Sequence, residues 1–210
     1  MRAGRRIKGG VTYSQQGNDA NKRGKMVERR AYKDLWEHIE ELDAAGLLYR
    51  IDKPINKDTE MHPLVRWQFR GGIPEVERKA FLFTNVIDSK GRKYDIPVLI
   101  GGLAANPEIY RIGMAADTLD DIGPLWERGL NQPVETNVVE EAPCQEVVMT
   151  GAEVQGPGNG LDALPIPIST PGYDVGPYFT AATWITKDID SSDGTGPRCN
   201  CCGCERSVLF

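Results

Sequence analysis

A chain of 210 residues, 40% apolar and 26% charged with a net charge of −5, has room for one large globular domain or two small ones, and its acidic balance argues against a general nucleic-acid surface. It holds no apolar run long enough for a transmembrane helix and no signal-peptide core near its start, so no membrane partner is expected. Four of its five cysteines crowd into one short stretch near the C-terminus, which is no framework for a secreted disulfide-rich domain; a reducing cytoplasm is the expected compartment.

The charge is uneven. Residues 1–30 carry nine Arg or Lys against Asp19 and Glu28. They lack apolar periodicity, so residues 1–31 read as a disordered basic tail. The predicted body opens at Asp34, an N-cap with Glu37 at the capping-box spacing. Leu35, Ile39 and Leu42 then form one apolar face, and Gly46 ends the helix, giving residues 34–45. A short strand over residues 47–52 closes at Pro54. A second helix covers residues 61–70, with Pro63 in its first turn and Gly71-Gly72 after it. Strands are predicted over residues 81–86 and 96–100, with a turn at residues 89–92 between them. Asn106-Pro107 starts a helix running from Glu108 to about Ala116. Thr118 and Asp121 open a further helical stretch that Gly123 and Pro124 should break.

Beyond about residue 135 the texture changes. Residues 146–150 are strand-like, and residues 151–160 form a glycine-rich loop with no phosphate-binding pattern. Pro165, Pro167, Pro171 and Pro177 punctuate an extended connection. Residues 178–186 are the clearest late strand, with Phe179, Ala181, Thr183 and Ile185 on one face. The expected organisation is therefore α/β or α+β: a tail to residue 31, an α/β domain over 32–135, a β-rich region over 136–190, and a Cys-rich tail over 191–210.

The late segments come in an informative order. Ala142-Pro-Cys-Gln-Glu-Val-Val148 leads to Leu161-Asp-Ala-Leu-Pro-Ile-Pro167, then Asp174-Val-Gly-Pro-Tyr-Phe-Thr180, then Trp184-Ile-Thr-Lys-Asp188. With Gly46-Leu-Leu-Tyr-Arg-Ile-Asp52, Ala80-Phe-Leu-Phe-Thr-Asn-Val86 and Ile96-Pro-Val-Leu-Ile100 before them, they resemble the N-terminal portion of the UbiD family of decarboxylases over residues 32–190. The resemblance implies an N-terminal α/β domain followed by the start of a split β-barrel flavin-binding domain. It implies reversible, non-oxidative decarboxylation of an aromatic or α,β-unsaturated carboxylic acid. The cofactor implied for the full-length family member, and not expected on this chain alone, is prenylated flavin mononucleotide held with Mn²⁺ and often K⁺, supplied by a separate flavin prenyltransferase, and the full-length parent is expected to be a homo-oligomer.

In the family an Asn-x-Gly-x-Tyr-Arg motif follows the Ile-Thr-Lys-Asp strand. Here Asn200, Gly203 and Arg206 are the local counterparts, with the spacing longer by one and Glu205 where Tyr is expected. Asn200 is the candidate metal ligand, Arg206 the candidate catalytic residue, and Thr183 the candidate flavin contact. The chain is thus expected to be a truncated, inactive enzyme front part whose open barrel edges favour aggregation, through a frameshift, an interruption or a genuine end. The alternative is a non-catalytic fragment acting as a binding or assembly module. Cys199, Cys201, Cys202 and Cys204 supply enough thiolates for zinc, but their spacing is tight for an ordinary zinc site, and an oxidation-prone disordered tail is expected there instead. Cys144 reads as a buried structural thiol, Asp174 as a turn cap and Tyr178 as a core aromatic; either of the last two could also approach the flavin.

Overall fold

The computed structural model describes residues 34–132, 139–142, 145–179, 184–186 and 198–200. Helix α1 (Leu35–Ala44) starts where the Asp34 carboxylate accepts the N–H groups of Trp36 and Glu37, two donors that a first helical turn leaves orphaned. It stops ahead of Gly46, whose φ of 69° lies in the left-handed region that a side chain resists. Its buried face is His38, Ile39 and Leu42, while Leu35 is 58% exposed. Leu35 occupies the first helical position, at the helix end and not over the packed middle, so the expected face begins one turn late.

The sheet is a three-lane ribbon broken across its middle. Strands β1 (Leu48–Ile51) and β2 (Ile55–Asn56) form the first lane, interrupted at Pro54. Strands β3 (Ala80–Phe83) and β4 (Val86–Ile87) form the second, and β5 (Lys93–Tyr94) and β6 (Val98–Ile100) the third. One half has the order β1-β3-β6 and the other β2-β4-β5, with the first pair parallel and the second antiparallel in each. Two bonds stitch the break: Thr84 N–H to Ile51 O at 3.0 Å and Ile55 N–H to Asn85 O at 3.1 Å. The strand expected over residues 81–86 is therefore two pieces, because Thr84 and Asn85 turn their backbone groups to the neighbouring lane. β1 and β3 run parallel, which requires a crossover, and helix α2 (Met61–Arg70) lies within it.

Every residue of β3 is buried. Ala80 and Leu82 face α1 and the later helix, joining Ile39, Leu42, Leu48, Ala105, Ile109 and Ile112. Phe81 and Phe83 face the other way, onto Met61 and Val65 of α2, with Val86 and Tyr94. A strand covered on both faces reads as a continuous apolar run, which Ala-Phe-Leu-Phe is. Fully burying each of the larger side chains contributes roughly 1.5–3 kcal/mol.

Helix α3 (Pro107–Gly113) is capped by Asn106, whose Oδ1 accepts the Ile109 N–H at 2.9 Å. It ends before the expected residue 116 because the chain turns at Ala115, a non-glycine residue at φ 49°. Thr118 and Asp121 make the expected reciprocal capping pair, around a 3₁₀ turn at Leu119–Asp121. Helix α4 (Ile122–Asn131) then runs unbroken. The break expected at Gly123 and Pro124 does not occur, since Pro124 falls in the first turn, where the missing N–H is not needed.

Residues 146–150 form no strand: Val147, Val148 and Met149 are exposed. Short 3₁₀ turns follow at Gly151–Val154 and Gly160–Ala163. Of the long strand expected over residues 178–186, Tyr178 and Phe179 are not strand, and β7 (Trp184–Thr186) is the strand among the described residues. It pairs antiparallel with β8 (Arg198–Asn200), matching Trp184 to Asn200 and Ile185 to Cys199. At those three residues the tail expected to be disordered is strand, because it supplies a ladder partner for β7.

Candidate functional site

The segment from residue 145 to 178 is held to the α/β layer mainly by polar groups. Pro165 and Ile166 are its buried apolar side chains among the described residues, so three cations of the layer, reaching out to carbonyl oxygens, do much of the holding. Lys57, in the turn after β2, donates from Nζ to Ile166 O at 3.0 Å and to Asp58 Oδ1 at 2.6 Å. Its own carbonyl accepts the Ile168 N–H at 3.2 Å. Arg66, half-buried on α2, donates from Nη2 to Ser169 O at 2.8 Å and Thr170 Oγ1 at 3.0 Å. Arg92, on the β4–β5 hairpin, donates to Asp162 O at 2.8 Å and Gly158 O at 3.2 Å. Charge-assisted bonds of this kind are stronger than neutral ones.

Between this segment and the layer lies an open cleft of about 1580 Å³. Its walls are largely apolar, from Ile96 on the layer side to Val147, Met149, Val154, Tyr173 and Tyr178 on the segment side. Lys57 is the buried cation among its lining residues, at 6% exposure. A buried ammonium needs partners; Asp58, the Ile166 carbonyl and the Tyr94 ring face, 5.8 Å from Nζ, supply them.

Three titrating groups border this region. His62, one turn before Arg66 on α2, has its pKa lowered by burial and by the Arg66 charge, with Asp174 opposing. Burial alone would raise the Asp88 carboxyl, but the N–H groups of Arg92 and Lys90, the Tyr94 hydroxyl and the Lys57 charge hold it below the usual range. The Tyr94 hydroxyl, which donates to Asp88 Oδ2 at 3.2 Å, is pushed up to about 12 by burial and by the Asp88 charge.

Asp174 accepts the Thr170 N–H at 2.6 Å, which is the turn-capping role its sequence position suggests, and it also lines the cleft. Tyr178 lines the cleft too and is half-buried, not a core residue. Thr183 and Arg206 lie outside the described residues, as do Cys144, Cys201, Cys202 and Cys204. Asn200 stands in β8, opposite Trp184. No group of three or more His, Cys, Asp or Glu among the described residues could hold a metal. Lys57, Arg66 and Arg92 were not legible as site residues, since their carbonyl partners lie far along the chain and leave no spacing signal.

No protein-family model matches the chain. Solved structures do. The UbiD-class enzyme HmfF from Pelotomaculum thermopropionicum, in an evolved dimeric form with prFMN, matches at 26% identity and a TM-score of 0.59 over 78% of this chain and 36% of its own. HmfF in complex with FMN matches at 28% identity, TM-score 0.58, over 78% and 35%. Vanillic acid decarboxylase of Sedimentibacter hydroxybenzoicus, in an open form, matches at 26% identity, TM-score 0.60, over 75% and 32%. The chain has a partial UbiD-like fold. It spans about a third of the length of these structures. The UbiD-like body is α+β, with helices on small mixed sheets, and no closed barrel is present among its described residues. No helix among them is long and apolar enough to cross a membrane.

Proposed function

We propose that this chain supplies the N-terminal domain and one cleft wall of a UbiD-type carboxy-lyase, which decarboxylates an aromatic or α,β-unsaturated carboxylic acid reversibly and without net oxidation. The observation that carries the reading is the match to two structures whose own complexes contain prFMN and FMN. The cleft supports it. Its apolar walls and volume of about 1580 Å³ suit a flat tricyclic ring, and it lies along the proline-punctuated segment that carries the sequence resemblance. When bound, prenylated FMN would supply the electron sink that loss of CO₂ requires.

The chain's own residues have definable tasks. Tyr178 and Val154 would flank a ring from the segment side, and Lys57, its charge paired by Asp58, holds that wall through the Ile166 carbonyl. No group of three or more His, Cys, Asp or Glu is gathered for Mn²⁺ among the described residues, and no step is assigned to a metal. Supply of the cofactor by a flavin prenyltransferase and assembly into a homo-oligomer belong to the same proposal. HmfF's evolved dimeric form is in keeping with the latter.

The test is purification of the full chain from cells co-expressing a flavin prenyltransferase, with flavin absorbance measured on the protein. Retained flavin upholds the reading, and a colourless protein that also fails to quench added FMN overturns it. A second reading, a binding or assembly module without turnover, is favoured by α4, which is amphipathic yet buries no side chain. Flavin retention without CO₂ release from any aromatic or α,β-unsaturated acid would select it.

A further inference from the structure

We propose that Arg92 is a positioning residue that sets one wall of the cleft. Its guanidinium is pre-ordered on the β4–β5 hairpin. The Arg92 N–H is held by Asp88 Oδ1 at 2.8 Å, its carbonyl accepts the Asp88 N–H at 3.0 Å, and the guanidinium carbon lies 4.9 Å from the Tyr94 ring centroid. From that platform the fork takes two carbonyls at once, Asp162 O on Nη1 and Gly158 O on Nη2, while Nη1 also lies 3.5 Å from Asp162 Oδ2. The same Asp162 carboxylate oxygen accepts the Gly158 N–H. Residues 158 and 162 are thereby clamped as one turn, and residues 156–157 and 159–164 around that turn line the cleft.

Two features make the clamp specific. Gly158 has φ 83°, and a Cβ there would stand 3.2 Å from Arg92 Nη1, so glycine permits both the turn and the close approach. No side chain of residues 145–163 described here is buried. Apolar packing therefore does not hold this wall; the fork and the downstream anchor of Lys57 on Ile166 O do. A planar fork that grips two acceptors is something lysine cannot reproduce. Reading the positioned wall as a flavin wall rests on the function proposed above; the clamp itself does not.

The experiment is hydrogen exchange read by mass spectrometry on the full chain and on Arg92→Ala, Arg92→Lys and Gly158→Ala, with FMN fluorescence titration of the same proteins. Charge-assisted bonds of this class predict exchange about tenfold faster in residues 151–163 for Arg92→Ala and Gly158→Ala, an intermediate rise for Arg92→Lys, and no change in α1 or α2. Unchanged exchange in residues 151–163, or an equal rise across the chain, would overturn the proposal. If the wild-type chain fails to bind FMN, the flavin reading falls and the exchange data alone decide on Arg92. If it binds, Arg92→Ala should weaken FMN binding about tenfold, and equal binding despite a loosened wall would also overturn the positioning role.

Discussion

His62 shows how one side chain links a helix to a loop through charge. Burial and the neighbouring Arg66 hold its pKa below the ordinary 6.5, so the fold favours the neutral ring. A lowered folded-state pKa contributes stability that is present above 6.5 and lost as the pH falls below it, because the unfolded chain then binds the extra proton. Urea midpoints measured across this range should fall below pH 6.5 for the wild type and fall less for His62→Gln; parallel profiles would exclude His62 as a source. Tyr94 has the opposite sign. With its pKa raised from 10.0 to about 12, its contribution is present below pH 10 and lost between the two values. An ultraviolet titration of the folded chain should show one tyrosine ionising last, and Tyr94→Phe should remove that step. Roles set by near neighbours were legible in the sequence: Asp34 as a cap, Gly46 as a stop, Asp174 as a turn. The three cations were not, because a guanidinium or ammonium that bonds a backbone carbonyl more than sixty residues away is indifferent to which side chain stands there.

Elements were legible where one physical rule acted alone. The helices at residues 35–44 and 61–70 follow from apolar spacing and end signals, and both are present. Errors came where tertiary pairing decided. A β-ladder can be split by two residues bonding sideways, as at Thr84 and Asn85, and the apolar residues 147–149 stay out of any strand when no partner lies beside them. The face of α1 is a direct test of such a correction. Leu42 is fully buried against the sheet, whereas Leu35 is 58% exposed. Leu42→Ala should cost about 2–5 kcal/mol through lost burial and a cavity, and Leu35→Ala no more than about 0.5 kcal/mol. Denaturant midpoints of the two variants decide it. Comparable losses would return Leu35 to the core face.

At the scale of the whole molecule, the buried apolar side chains divide the chain unequally. All of them among the described residues lie between Ile39 and Ala116, save Pro165 and Ile166. Helix α4 buries none, and residues 145–163 bury no side chain at all. Apolar burial is the main favourable term in folding, and segments that lack it open locally at little cost. Limited proteolysis should therefore cut first within residues 145–163, then in α4, and leave a resistant core close to residues 34–117. The clamp refines it: Arg92→Ala should speed the first cut far more than it shortens the lifetime of the core, because Arg92 grips the cleft wall through two carbonyls and meets the packing around β3 only at the Tyr94 ring. Even cutting along the chain, or a core that disappears as fast as the wall, would mean that polar anchoring and apolar packing are not separable here.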